Sequence, residues 1–198
     1  MHLLSSPASP FARKCRVVLI ETAQTDVTVR GVHASPAGSD DTLRAANPVG
    51  KIPVLIRDDA PALFDSRVIC RFLDDRAKGG LYPPGGWDVL TLEAGADAVM
   101  EAALLMVYER RLRPDDMVFE PWLDAQWGRV ERTLDSWDAR AMPILQGRTS
   151  IASIAVGCAL GYLDFRLGDR DWRGARPALA AWEAAFAMRD AMAETRPA

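Results

Sequence analysis

Cysteine and histidine are scarce, with three cysteines and two histidines in 198 residues. The cysteines are far apart in sequence and form no Cys-x-x-Cys pair, which argues against both a disulfide framework and a zinc site. Each lies among apolar residues in a helical pattern, so Cys15, Cys70 and Cys158 are predicted to be small buried hydrophobes. We therefore expect no metal in this protein.

An excess of charge and a long apolar run are also missing. The formal net charge of −3 provides no electrostatic footprint for nucleic acid or an anionic membrane. No apolar stretch approaches the length that spans a bilayer, and "MHLL" lacks the basic flank and apolar core of a signal peptide. These observations predict a soluble cytoplasmic protein with no nucleic-acid or membrane partner.

Short strand-like and helix-like segments alternate in the first part of the chain. "HLLS", "DVTVRGV", "IPVLI" and "ALF" are typical of strands, because they are short, apolar or β-branched. Apolar residues recur at helical spacing from Pro10 to about Thr22 and again from about Ser66. The order is β-α-β followed by β-β-α, which predicts a small α/β domain with a mixed sheet over residues 1–78.

Helical patterns alone follow a Gly- and Pro-rich break. "AKGGLYPPGGWD" carries four glycines and two prolines, so residues 79–87 are predicted to be a linker. Residues 88–198 are predicted to form an all-helical domain. Its first helix ends near Pro114, and its last begins at Pro177, a residue favoured in the first helical turn.

The start of the first helix, "SPASPFARK", carries a serine directly before a proline. Pro10 suits the first helical position, and Ser9 is then a natural N-cap. This capping role explains Ser9 without any function. A helix N-terminus also offers free N–H groups and positive dipole, which together with the hydroxyl would stabilise a thiolate placed beside Ser9.

Two further segments carry groups that could bind a ligand, namely backbone groups in one and polar side chains in the other. In "NPVGKIPVL", Pro53 lies inside a strand-like run, where it is tolerated either as a cis proline or as a trans proline on an edge strand. The cis form would turn the Ile52 N–H and C=O outward, free to pair with an extended peptide. In "FDSRVI", Asp65 and Ser66 are either a capping pair or a pocket for a group that carries both an amine and a carboxylate.

In their order and spacing, "SPFARKCRVVL", "NPVGKIPVL" and "FDS" resemble the three glutathione-site segments of the cytosolic glutathione S-transferases. The resemblance covers essentially the full length and is strongest to small bacterial, serine-type members. It implies a thioredoxin-like N-terminal domain and an all-α C-terminal domain. It also implies that glutathione is a cosubstrate, without any metal, and that the protein is a homodimer.

The resemblance implies roles for individual residues. Ser9 would donate to the glutathione sulfur, with Ser6 as the alternative hydroxyl. Because Ser9 and Ala12 replace the cysteines of a redox motif, glutaredoxin-like chemistry is disfavoured. The implied glutathione-binding residues are Ser9, Phe11, Lys51, Ile52, Pro53, Asp65 and Ser66.

The expected reaction is attack of the glutathione thiolate on an electrophilic, mostly apolar small molecule. Tyr108 and Arg111 are candidates for the cleft that takes this second substrate, although an aromatic at helical spacing is more often a core residue. Two alternatives remain from the sequence. One is an interaction module with this fold and no transferase activity, and the other is a glutathione-dependent isomerase or dehalogenase.

Overall fold

A computed structural model describes residues 1–198, which divide into two compact units. The first contains Met1–Gly85 together with Arg189–Ala198, and the second contains Gly86–Met188. The predicted pairing of an α/β domain with an all-helical domain is confirmed. The predicted domain boundaries remain a prediction. No helix is both long and apolar enough to cross a membrane.

The first unit is built on a three-stranded sheet with strand order β2-β1-β3, where β1 is His2–Ser5, β2 is Thr28–Gly31 and β3 is Val54–Ile56. The central strand β1 runs parallel to β2 and antiparallel to β3, with Leu3 opposite Leu55. Leu3 and Leu55 are fully buried, so this pairing lies in the core.

The predicted strand at "ALF" is reduced to one bridge. Leu63 exchanges two backbone hydrogen bonds with Leu55, both 2.9 Å, and its neighbours are not extended into a ladder. A short helix that the sequence pattern did not predict, α2 (Asp41–Ala46), packs against β3 through Leu43, which is fully buried.

Two helices of equal length pack together in the first unit: α1 (Pro10–Glu21) and α3 (Ser66–Ala77). Both begin where the sequence predicts. Each has a capping side chain at the residue before its first turn. Helix α3 buries one face, as an amphipathic helix on a sheet does, whereas α1 buries most of its residues, including Arg13 and Lys14.

The C-terminal segment returns to this unit. Helix α9 (Asp190–Glu194) packs on α1, where the buried Arg13 donates from Nη2 to the Met192 carbonyl at 3.0 Å and from Nε to Thr195 Oγ1 at 3.4 Å. Arg13 is only 4% exposed, so its charge is buried among backbone and hydroxyl acceptors contributed by the end of the chain.

The second unit is all helical, as predicted. The helices of this unit are α4 (Trp87–Leu112), α5 (Glu120–Arg140), α6 (Met142–Leu145), α7 (Ile151–Arg166) and α8 (Pro177–Phe186), with a 3-10 turn at Asp115–Met117. Helix α7 is the centre of the unit, because nearly all its residues are buried and its sequence is apolar on every side. The long helix α4 packs along α7 and also against α5.

Candidate functional site

Three loop segments meet at one end of the sheet in the first unit. Strand β1 ends at Ser5, and because β3 is antiparallel to it with Leu4 opposite Val54, Pro53 lies beside that end. Leu63 pairs with Leu55, also antiparallel, so the chain after Leu63 runs toward the same end. The register therefore brings together the loop before α1, the Ile52–Pro53 segment and the Asp65–Ser66 segment.

Ser9 caps α1 at this end of the sheet. It is extended, with φ −84° and ψ 120°, and its Oγ accepts the backbone N–H of Ala12 at 3.2 Å. No acidic residue lies in the first turn of α1, so no carboxylate opposes the positive end of the helix dipole. The hydroxyl accepts as a cap, and its hydrogen remains available to donate to an anion.

The Ile52–Pro53 peptide is cis, which confirms one of the two forms left open by the sequence. Pro53 is buried, whereas the Ile52 side chain is partly buried against Leu4, Leu43 and Val54. The backbone N–H and C=O of Ile52 have no partner within the chain. They are available to an extended peptide, in the manner of an added strand.

Asn47 organises the turn that leads to Ile52. It is 2% exposed, accepts the Val49 N–H at Oδ1 over 3.0 Å and donates from Nδ2 to the Lys51 carbonyl over 2.8 Å. Gly50, between these partners, has a φ of +68°, a conformation that favours glycine. The turn is thus fixed by one buried side chain.

Asp65 and Ser66 form the start of α3. Asp65 is the N-cap and accepts the Arg67 N–H at 3.0 Å, which confirms the capping interpretation, yet its side chain remains more than half exposed. Ser66 is buried, and as the first residue of the helix its N–H has no intrahelical acceptor. An exposed carboxylate and a helix N-terminus lie side by side, suited to an ammonium and a carboxylate respectively.

A pair of buried cysteines connects the two helices behind the site. Cys15 Sγ on α1 lies 3.7 Å from Cys70 Sγ on α3 and 3.8 Å from the Ser66 carbonyl oxygen. All three cysteines of the chain are buried and outside any disulfide, as predicted. These contacts join α1, which Ser9 caps, to α3, which begins at Ser66.

The remaining predicted glutathione-site residues surround this end of the sheet. Phe11 is half-buried in the first turn of α1, and Lys51 is exposed beside Ile52. Ser6, the alternative hydroxyl, is half-buried and its carbonyl accepts the Ser9 N–H at 3.1 Å. Ser6 belongs to the loop, whereas Ser9 lies at the helix end.

Tyr108 and Arg111, the two candidates for binding the second substrate, lie on α4 in the second unit, one turn apart. Burial raises the pKa of the Tyr108 phenol, and the positive charge of Arg111 opposes this shift. Tyr162 on α7 is also buried, and burial raises the pKa of its phenol to about 12.

Sequence reasoning missed Asn47, whose two hydrogen bonds hold the turn that leads to Ile52. Its position at the start of "NPVG" was the signal that could have identified it, because Asn side chains in turns bond to the backbone two residues on.

Two family models match the chain. The model described as Glutathione S-transferase, N-terminal domain, matches residues 3–80, and Glutathione S-transferase, C-terminal domain, matches residues 120–185. Among curated proteins, the chain is 30% identical over its whole length to the uncharacterized GST-like protein YibF of Escherichia coli K12, of which 98% is covered.

Solved structures match over the whole chain as well. A glutathione transferase family member from Pseudomonas fluorescens Pf-5 with bound glutathione has a TM-score of 0.97 and 43% identity, covering 100% of this chain and 98% of that one. A structure with the same description but with bound S-(propanoic acid)-glutathione has a TM-score of 0.92 and 42% identity, covering 100% of both chains.

Proposed function

Because the chain belongs to the glutathione S-transferase family, we propose that it is a serine-type transferase that binds glutathione at the end of the first unit's sheet. The observation that carries this proposal is the convergence described above. A capped helix N-terminus, an unpaired backbone edge at Ile52 and the Asp65–Ser66 start of α3 meet at one place. Together they match the chemical groups of a short peptide thiol.

Ser9 stabilises the thiolate of bound glutathione. An ordinary thiol has a pKa of roughly 8.5, so about 3% is ionised at neutral pH. A charge-assisted hydrogen bond from the Ser9 hydroxyl and the N-terminal end of α1 together supply roughly 2.7 kcal/mol, which lowers the thiol pKa by about two units. Most of the bound thiol is then ionised.

The peptide part of glutathione is held by the other two segments. The cysteinyl backbone pairs with the N–H and C=O of Ile52, next to cis Pro53. The γ-glutamyl end places its amine at Asp65 and its carboxylate at Ser66, and Lys51 is available to the glycyl carboxylate. Phe11, half-buried in the first turn of α1, borders the same peptide.

The thiolate attacks an electrophilic carbon of a second, small molecule. The S-(propanoic acid)-glutathione bound to the Pseudomonas fluorescens relative is a thioether, which is the product that such an attack forms. It therefore supports conjugation as the reaction class. Tyr108 and Arg111 bind the second substrate.

We expect the protein to be a homodimer, as family membership implies. Light scattering of the purified chain measures its oligomeric state.

The test compares Ser9→Ala and Ser9→Gly with the wild type. Ultraviolet absorbance of bound thiolate reports the thiol pKa, and conjugation of an aryl halide reports the rate. Both variants keep the helix end, so they lose only the share of the hydroxyl, roughly 1.4 kcal/mol, and the thiol pKa rises from about 6.5 to about 7.5. The ionised fraction at pH 7, and the rate with it, then falls roughly threefold. Glutathione binding largely persists.

Glycine is the informative substitution because it keeps most of the capping stability that alanine loses. Ser6→Ala is the matched control and retains both the pKa and the rate. An unchanged thiol pKa in Ser9→Gly with a changed one in Ser6→Ala would transfer the role to Ser6. If the folded wild-type chain is not retained on immobilised glutathione, the proposal fails and an interaction module is the better interpretation.

A further inference from the structure

Two thiols lie in contact between α1 and α3, inside the first unit. Cys15 Sγ on α1 is 3.7 Å from Cys70 Sγ on α3, which is the separation of two atoms in van der Waals contact. Both side chains are fully buried, and neither forms a disulfide. The two residues are 55 positions apart in the chain, so the packing of the two helices creates this pair of thiols.

The thiol pair adjoins the start of α3. Cys15 Sγ lies 3.8 Å from the carbonyl oxygen of Ser66, the first residue of that helix, and Cys70 follows Ser66 by one helical turn. In the proposed function, the carboxylate of the γ-glutamyl end binds at Ser66. One of the two thiols therefore touches the backbone of a residue that is proposed to hold glutathione, although neither thiol reaches the surface.

Burial decides which oxidation product these thiols form. A sulfinic acid, a sulfonic acid or a mixed disulfide with glutathione adds atoms to the sulfur, and a fully buried sulfur in a close-packed interior has no room for them. A disulfide between Cys15 and Cys70 adds no atoms and removes two hydrogens. It shortens the separation of the sulfurs from 3.7 Å to about 2.05 Å. The disulfide is therefore the product that this interior accommodates.

We propose that Cys15 and Cys70 form a reversible disulfide, and that this bond weakens glutathione binding. Formation of the bond is independent of the proposed function, whereas its effect on glutathione rests on that function. Because the sulfurs approach each other, α1 and α3 are drawn together and the contact of Cys15 Sγ with the Ser66 carbonyl oxygen changes. The N-terminus of α3 then shifts relative to α1, which Ser9 caps, and the groups proposed to hold glutathione lose their spacing.

The oxidation balances with hydrogen peroxide as the oxidant. One cysteine, as the thiolate, attacks a peroxide oxygen; the O–O bond breaks, and the hydroxide that leaves takes up a proton to give water. The second thiol attacks the resulting sulfenic acid, so the S–S bond forms as the S–O bond breaks and another water leaves. The two thiols together lose two electrons and two protons, and one peroxide becomes two waters. Two glutathione thiols reverse the reaction and become glutathione disulfide.

The contact between the sulfurs and their burial set the course of this reaction. Because the second thiol is adjacent, it captures the sulfenic acid before another peroxide arrives. Because both sulfurs are buried, peroxide reaches them only while the unit opens locally, so the disulfide forms slowly. Cys158, which is equally buried on α7 in the second unit, is an internal control for oxidation that does not depend on the pair.

Alkylation counts the free thiols of the full chain. The purified protein is treated with hydrogen peroxide, freed of oxidant, unfolded and alkylated with N-ethylmaleimide, and its intact mass is measured. The reduced wild type takes up three labels, one for each cysteine, and the oxidised wild type takes up one. A digest without reductant then contains a cross-linked Cys15–Cys70 peptide and an alkylated Cys158. Three labels after peroxide treatment, or a disulfide that includes Cys158, would overturn the inference.

S-Methylglutathione measures binding without reducing the disulfide, because it has no thiol. In calorimetric titration, its Kd is about tenfold higher for the oxidised wild type than for the reduced wild type, which is the effect of one lost charge-assisted hydrogen bond. Dithiothreitol restores the Kd of the reduced protein. Cys15→Ala and Cys70→Ala, checked for folding by thermal melting, each have the same Kd before and after peroxide treatment, whereas Cys158→Ala responds like the wild type.

The two measurements separate the disulfide from its effect. An oxidised wild type that carries the disulfide but keeps its Kd would refute the effect on glutathione. An equal rise in Kd for Cys70→Ala would assign the loss to oxidation elsewhere and would refute it as well. If the reduced wild type does not bind S-methylglutathione, the proposed function fails and the regulatory effect fails with it, while the count of alkylated thiols still decides whether the disulfide forms.

Discussion

Replacing Asn47 tests whether the turn before Ile52 positions the glutathione site. Asn47→Ala removes two hydrogen bonds of a buried side chain, to the Val49 N–H and to the Lys51 carbonyl. At roughly 0.5–1.5 kcal/mol each, the free energy of unfolding falls by about 2 kcal/mol. For a chain of this length that corresponds to a decrease in Tm of about 4–8 °C.

The same substitution weakens glutathione binding, because Ile52 follows directly on Lys51 and its backbone loses its fixed orientation. We expect the Kd to rise about tenfold, which is the effect of roughly 1.4 kcal/mol. Asn47→Asp retains the acceptor for Val49 but turns an oxygen toward the Lys51 carbonyl, so it produces the same loss of affinity. Calorimetric titration with glutathione and thermal melting measure both effects.

Ser39→Ala is the control, since Ser39 Oγ donates to the Gly50 carbonyl at 3.0 Å and so stabilises the same loop one residue earlier. It lowers the Tm slightly and leaves the Kd unchanged. An Asn47→Ala variant that melts earlier but binds glutathione with wild-type affinity would refute the reasoning, since Asn47 would then stabilise the loop without orienting Ile52.

Three other predictions concern packing and charge. Arg13→Met removes the hydrogen bonds to the C-terminal segment and speeds amide exchange in α9; unchanged exchange there would contradict this. Burial raises the pKa of Tyr162 to about 12, so its stabilising contribution is complete below about pH 10 and disappears as the pH rises toward 12. Alkaline absorbance titration of Tyr162→Phe should lack the last ionisation step, and a persistent step would disprove the assignment. Asp164→Asn weakens the ion pair with the partly exposed Arg173, which lowers the free energy of unfolding by less than about 1 kcal/mol. Urea unfolding should show this difference from the wild type in low salt and no difference in high salt.

Local chemistry made part of the site predictable. Ser9 and Pro10 specify a helix start through capping and a fixed φ, and Asp65 does the same for α3. A proline inside an apolar run leaves few backbone solutions, and the cis form of Ile52–Pro53 is one of them. Each of these signals is carried by residues that are adjacent in the chain.

Features that depend on distant residues could not be predicted in this way. Helix α2 is short and is stabilised by burial of Leu43 against β3 rather than by its own propensity. Cys15 and Cys70 are separated by 55 positions yet lie in contact, because α1 and α3 pack together.

The return of the C-terminal segment to the first unit has a consequence for synthesis on the ribosome. Residues Arg189–Ala198 are translated after the entire helical unit, yet helix α1 needs them to satisfy the buried guanidinium of Arg13. The α/β unit therefore cannot complete its folding until the C-terminal segment has been synthesised, although all three strands of its sheet are translated much earlier. An engineered fragment of residues 1–85 would lack these acceptors, whereas a circular permutant that begins at Arg189 would supply them first.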